Sequence, residues 1–123
     1  MNDLPISSSA AHPTATAFPP VTTELLNEIV RRVLEAGEPL KIVLFGSRAR
    51  DTARPDSDID LLIIEETNES KPDRDARYYR ALRGVYPAKD IQVWTPAEVS
   101  EWRAVPNSFI MAVLREGKVL YAR

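Results

Sequence analysis

Asp58 and Asp60 open an otherwise apolar run, DIDLLIIE. Alternate residues of a strand share a face, so a strand beginning at Asp58 turns both carboxylates the same way, with Cα atoms about 7 Å apart. Carboxylates converging at the end of a buried strand repel each other unless a cation lies between them. Mg2+ suits that place, because it prefers carboxylate and phosphate oxygens. The plainer alternative leaves Asp58 in a loop and Asp60 solvated at the strand edge. Upstream, Gly46-Ser47 follows the apolar run LKIVLF, and ten residues separate Ser47 from Asp58. A glycine there lets a ligand approach the backbone, the N–H groups of a helix start favour phosphate oxygens, and Ser47 adds a hydroxyl. An ordinary turn is the competing reading, and the GxxxxGK[ST] spacing of a Walker loop does not occur. Asp90 is a third acid, near the start of KDIQVW. Taken alone it is an exposed strand start. At the same sheet end as the other two, it completes a two-metal phosphoryl-transfer site with ions roughly 3.5–4 Å apart.

Composition removes most other chemistries. The 123 residues contain no cysteine and one histidine, His12. Disulfides, thiolate zinc sites, iron–sulfur clusters and cysteine nucleophiles are thereby excluded. A Ser-His-Asp triad and His-ligated zinc are not expected, since His12 lies in a Ser-, Thr-, Ala- and Pro-rich stretch. Sixteen Lys and Arg against eighteen Asp and Glu give a net charge of −2. That argues against affinity resting on phosphate counterion release, so direct nucleic-acid binding is not expected. No apolar run approaches the roughly 20 residues that span a bilayer, and the N-terminal stretch lacks the pattern of a secretory signal. A cytoplasmic protein without membrane attachment is the expectation.

The elements that must position the acids are legible from the pattern. Residues 1–20 carry no apolar period and are expected to form a loosely ordered tail, leaving 21–123 as one domain. Leu25, Leu26, Ile29, Val30, Val33 and Leu34 recur at helical spacing, with Thr22 or Thr23 as cap and Gly37 as end. Strands are expected at 40–45, 58–65 and 89–94, the second covered on both faces because it is apolar at odd and even positions. SRAR starts a short helix, and DTARPDS reads as a loop. A helix over 73–83 closes at Gly84. Thr95, Pro96 and Glu98 form a helix start with a capping box, running to about Val105. A last helix, FIMAVLRE, is capped by Asn107, and KVLYA makes a small final strand. The order predicts an α/β (α+β) domain around a small mixed β-sheet flanked by helices.

Gly46-Ser47, ten residues, then Asp58-x-Asp60 resembles the signature of the DNA polymerase β-like nucleotidyltransferase superfamily. The context FGSRAR…SDIDLLI is similar to its minimal nucleotidyltransferase branch, the small antitoxins that accompany HEPN-domain toxins. The resemblance extends over about residues 24–121 and implies the nucleotidyltransferase fold. It implies ATP with its β and γ phosphates on Gly46-Ser47, two Mg2+ ions held by Asp58 and Asp60, and Asp90 completing the ion near an attacking hydroxyl. AMP then passes to a hydroxyl such as that of a tyrosine on the toxin, pyrophosphate leaves, and the two proteins form a hetero-oligomer. Many relatives that modify antibiotics, tRNA or DNA carry a second domain for the acceptor; none is expected within these 123 residues, so the acceptor is expected to be another protein. Two alternatives stand beside this reading: a non-catalytic module that masks its partner, and a nucleotidyltransferase for small molecules such as antibiotics. One position departs from the family pattern, since Asp51 stands where glycine is common after the SRAR-like segment.

Remaining features have two readings each. Arg48 and Arg50 flank the turn, as nucleotide-binding cations or as surface charges, and Arg48 is the one assigned to the nucleotide. Arg74, Arg77, Arg80 and Arg83 recur every third residue, as a solvated helix face or a docking surface for an acidic partner. Trp94 and Trp102 pack in the core or form an adenine wall.

Overall fold

The structure, a computed structural model, describes residues 20–123. The expectation of a loose tail therefore lies, apart from Pro20, outside the described residues. Helix α1 (Thr23–Ala36) begins where the Thr22 hydroxyl accepts the Leu25 N–H at 3.1 Å. Strand β1 (Lys41–Phe45) runs into a single 3-10 turn at Gly46–Arg48. Then follow β2 (Ile59–Ile64), α2 (Lys71–Ala81), β3 (Lys89–Trp94), α3 (Pro96–Arg103), α4 (Phe109–Glu116) and β4 (Lys118–Ala122). The sheet order is β3-β2-β1-β4. β2 and β3 are parallel, whereas β1 runs antiparallel to both β2 and β4.

Every apolar residue of β2 is buried, because the strand is internal and covered on both faces. Ile59, Leu61 and Ile63 join Ile42, Leu44, Ile91 and Val93 against Ile29 and Val33 of α1 and Tyr78 of α2. Leu62 and Ile64 join Val43 against Val99 of α3 and Ile110 and Val113 of α4. Asp60 shares the phase of Leu62 and Ile64, so it belongs to the α3–α4 face at the strand's first turn of pleat.

Several boundaries differ from expectation, each for a local reason. β2 starts at Ile59, so Asp58 is the last loop residue and not a strand residue. α2 starts at Lys71 because the Ser70 hydroxyl accepts the Asp73 N–H. α4 is capped by Ser108, which accepts from Met111 at 3.1 Å, while Asn107 takes the left-handed turn at φ 61. α3 ends at Arg103, ahead of the expected Val105. The capping box forms as read, with Glu98 N–H to the Thr95 hydroxyl at 3.2 Å and Thr95 N–H to Glu98 at 2.9 Å.

The arginine series on α2 is not one solvated face. Arg74 is buried and its guanidinium donates to Glu98 at 2.8 Å, tying α2 to α3. Arg77 pairs with Glu65 at 2.9 Å and with Glu69. Only Arg80 and Arg83 are exposed. Glu65, buried just past the end of β2, also accepts from the Tyr78 hydroxyl at 3.0 Å and from the Glu38 N–H at 3.0 Å. This clamp closes the sheet end opposite Asp60. Trp94 packs toward Phe109, with ring centroids 6.1 Å apart, whereas Trp102 is half exposed on α3.

Candidate active site

The site is built at the junction of β1, β2 and β3. β1 and β2 pair Phe45 with Asp60, so the residue after Phe45 must pass directly over the Asp60 carboxylate. That residue is Gly46, at φ 74. A Cβ there would collide with the Asp60 carboxylate oxygen. Glycine is thus required twice, for the left-handed backbone and for the space. The turn closes when Ala49 N–H returns to the Gly46 carbonyl at 3.1 Å, so the amides of Ser47 and Arg48 precede its first internal bond.

Between the turn and β2 the chain is held by Arg48. Its guanidinium donates to the Ser57 carbonyl at 2.8 Å and the Pro55 carbonyl at 3.4 Å. It also lines a cavity with Thr22, Leu44 and Leu120, beneath the α1 side of the sheet. Arg48 therefore braces the loop one residue before Asp58. Arg50 is the cation whose charge acts on Asp60. Asp51 adopts φ 59, the left-handed conformation that glycine takes freely and that Asp tolerates better than most residues. Its side chain is largely exposed, with Lys118 at 3.9 Å. The glycine that the resemblance leads one to expect here would meet the same backbone demand.

Parallel pairing sets Asp60 directly beside Asp90, with neighbouring strands about 4.8 Å apart. Asp60 is half buried and its carboxyl is pushed above the ordinary value of 3.8. Burial is the main cause, followed by the negative charges of Asp90 and Asp58, with Arg50 opposing. Asp58 and Asp90 are exposed at the rim. The structure thus brings Asp58, Asp60, Asp90, Gly46 and Ser47 to one corner and gives Arg48 a bracing position there.

Among the described residues, no three or more His, Cys, Asp or Glu side chains gather closely enough to cage a metal. Mg2+ does not need such a cage, since it binds through one or two carboxylates together with substrate phosphates and water. A half-buried carboxylate destabilised by two neighbouring acids is a fitting donor for an ion that arrives with a nucleotide.

Tyr79 is the residue that sequence reading missed here. Its hydroxyl accepts the Ile91 N–H at 2.9 Å and donates toward Asp90 at 3.5 Å. Asp75, one turn earlier on α2, accepts the Val93 N–H at 2.9 Å. Side chains of α2 thereby pair the outer edge of β3, which no strand covers. The tyrosine was visible in the sequence, but its pairing with a strand twelve residues on was not.

Residues 27–123 match the family model described as polymerase beta, nucleotidyltransferase. The chain belongs to that family. Its fold is similar to that of a Sulfolobus solfataricus protein assigned provisionally as a nucleotidyltransferase, at 23% identity and a TM-score of 0.59 over 95% of this chain and 91% of that one. Similarity also extends to a toxin–antitoxin pair solved with AMP-PNP, at 20% identity and a TM-score of 0.49 over 80% of this chain and 73% of that one. A tri-AMPylated Shewanella oneidensis HEPN toxin in complex with its MNT antitoxin supplies another match, at 17% identity and 0.46 over 81% and 71%. The comparison with curated protein sequences gives no match. Among the described residues no helix is long and apolar enough to cross a membrane.

Proposed function

We propose that the chain is a Mg2+-dependent nucleotidyltransferase that moves AMP from ATP to a hydroxyl of a partner protein, and that the partner is a HEPN-type toxin ribonuclease. The observation that carries the transferase reading is the register of Asp60 with Asp90 under Gly46. Mg2+, when bound, supplies charge neutralisation at the phosphates and lowers the barrier to in-line displacement at the α-phosphorus. Asp58 and Asp60 would hold the two ions, with Asp90 beside them. Gly46 and Ser47 offer amide and hydroxyl donors to the triphosphate tail, and the glycine leaves the backbone bare for close approach. Asp90 stands where an incoming hydroxyl can give up its proton. Arg48 keeps the loop before Asp58 in register, and Arg50 partly offsets the negative charge at Asp60. No covalent enzyme intermediate is required; positioning and electrostatics carry the rate.

The protein acceptor is supported by the FGSRAR…SDIDLLI context and by the exposure of Asp58 and Asp90, which leaves the rim open to a residue on another surface. The departure from the family pattern at Asp51 leaves room for the masking alternative. It does not by itself favour masking, since the Asp51 side chain is largely exposed and is not among the charges acting on Asp60. The test is to incubate the chain with ATP, Mg2+ and, in separate reactions, a HEPN toxin encoded beside it, an aminoglycoside, and RNA. Pyrophosphate release with one AMP or more added to the toxin supports the proposal. Toxin neutralisation that persists in Asp58→Asn and Asp60→Asn, with no mass added, would replace it by masking.

A further inference from the structure

We propose that the chain also carries an acceptor of its own, the Tyr79 hydroxyl, which it adenylylates in cis. The inference rests on the nucleotidyltransferase reading of the same acids. A phenol is a poor nucleophile at neutral pH, because its ordinary pKa is about 10. It becomes competent when a base stands within reach of its proton. In the folded chain Asp90 stands at the outer limit of that reach from Tyr79. Its oxygen lies 3.5 Å from Asp90 Oδ1. The Ile91 N–H occupies one of its lone pairs at 2.9 Å, which leaves its single proton free to point at Asp90.

The ring is not enclosed. Tyr79 is 43% exposed, and its amide partner lies on the outer edge of β3, where water can take the phenol's place as acceptor when the ring turns toward the nucleotide. The other tyrosines lack this combination. Tyr78 is fully buried and bonded to Glu65 at the far end of the sheet. Tyr86 is more exposed, but among the described residues it makes no hydrogen bond to any of the three acids. Tyr121 lies on β4, at the opposite sheet edge.

The step balances without further reactants. Tyr79 Oη attacks the α-phosphorus of ATP and an Oη–P bond forms. The bond from that phosphorus to the bridging oxygen of the β-phosphate breaks, and pyrophosphate leaves with the electron pair. The phenol proton passes to Asp90 and then to solvent. The product carries a phosphodiester beside Asp90, so a modified chain obstructs its own site and transfers to a partner more slowly.

The experiment incubates the purified full chain alone with ATP and Mg2+, followed by intact-mass and fragment mass spectrometry, with a parallel reaction containing the toxin. Wild type and Tyr86→Phe are expected to gain one AMP at Tyr79, while Tyr79→Phe and Asp58→Asn gain none. The fraction labelled per unit time should not depend on protein concentration. With α,β-methylene-ATP and Mg2+, which allow no transfer, hydrogen exchange at the Ile91 amide should quicken as the phenol leaves it. A toxin that gains AMP while the chain gains none overturns self-modification and leaves the proposed function standing. Label at another residue, or labelling of Asp58→Asn chains by wild type in trans, overturns it equally. Absence of label on both chain and toxin defeats the nucleotidyltransferase reading itself.

Discussion

Asp60 and Asp90 are register partners across the parallel β2–β3 pair, and the Gly46 backbone passes over the Asp60 carboxylate with no space for a Cβ. The two relationships tie the Gly46-Ser47 turn to the acids through the sheet's own hydrogen bonding. The geometry of the site is therefore a property of strand register, and it responds to substitutions in ways that can be separated from global stability.

Gly46→Ala is the sharpest single test of that coupling. The added methyl meets the Asp60 carboxylate, and the left-handed backbone at φ 74 disfavours any Cβ by about 1–2 kcal/mol. Thermal melting should show a modest loss, whereas Mg2+·ATP binding measured by calorimetry should disappear.

Asp60→Asn should stabilise the metal-free protein at neutral pH. The Asp60 carboxyl is raised in the folded state by burial and by Asp90 and Asp58. A group raised in this way contributes stability below its unfolded value of 3.8, and that contribution is lost as pH rises through the folded value. At pH 7 in chelator the variant should therefore melt a few degrees above wild type, and the gap should close near pH 3. Added Mg2+ should raise the wild-type midpoint and leave the variant's unchanged.

At Asp51 the backbone, and not the charge, is what matters. Asp51→Gly should retain full activity, since glycine adopts φ 59 without strain. Asp51→Val should melt lower than Asp51→Gly by the equivalent of about 1–2 kcal/mol, because a β-branched side chain resists the left-handed region. Equal stability of the two variants would show that the loop relaxes to another conformation.

The clamp at the far sheet end separates folding from function. Glu65→Ala leaves the buried Tyr78 hydroxyl without its acceptor, while Arg77 keeps Glu69 and the Ala36 carbonyl. Denaturant unfolding should show a loss of about 1–3 kcal/mol, while the folded fraction keeps its affinity for Mg2+·ATP. A proportional loss of that affinity would mean that strain at Glu65 travels along β2 to Asp60.

Much of this arrangement is legible in the sequence because it is local. The apolar run of β2, the Thr95–Glu98 capping box and the spacing of Gly46-Ser47 from Asp58-x-Asp60 are all short-range patterns, and each appears in the fold. The parallel pairing of β2 with β3, which sets Asp90 beside Asp60, follows only from the crossover through α2. The arginines of α2 looked like one surface series because their acceptors, Glu65 and Glu98, lie on other elements. Asn107 was a plausible cap by residue type, but its left-handed backbone passes that role to Ser108. Arg48 sits in the expected turn, yet its bonds to the Ser57 and Pro55 carbonyls depend on how the loop doubles back. Tyr79 falls in the same class, since its contact with Ile91 and Asp90 needs the helix already docked on the strand.

The central claim, that these three carboxylates direct a nucleotide's α-phosphorus to a hydroxyl, is tested most directly with ATP labelled at either the α or the γ phosphate. The account predicts that protein in a Mg2+-containing reaction retains the α label, never the γ label, and that Asp58→Asn, Asp60→Asn and Asp90→Asn each abolish retention while remaining folded. Retention of the γ label, or α-label retention that survives Asp60→Asn, would contradict it.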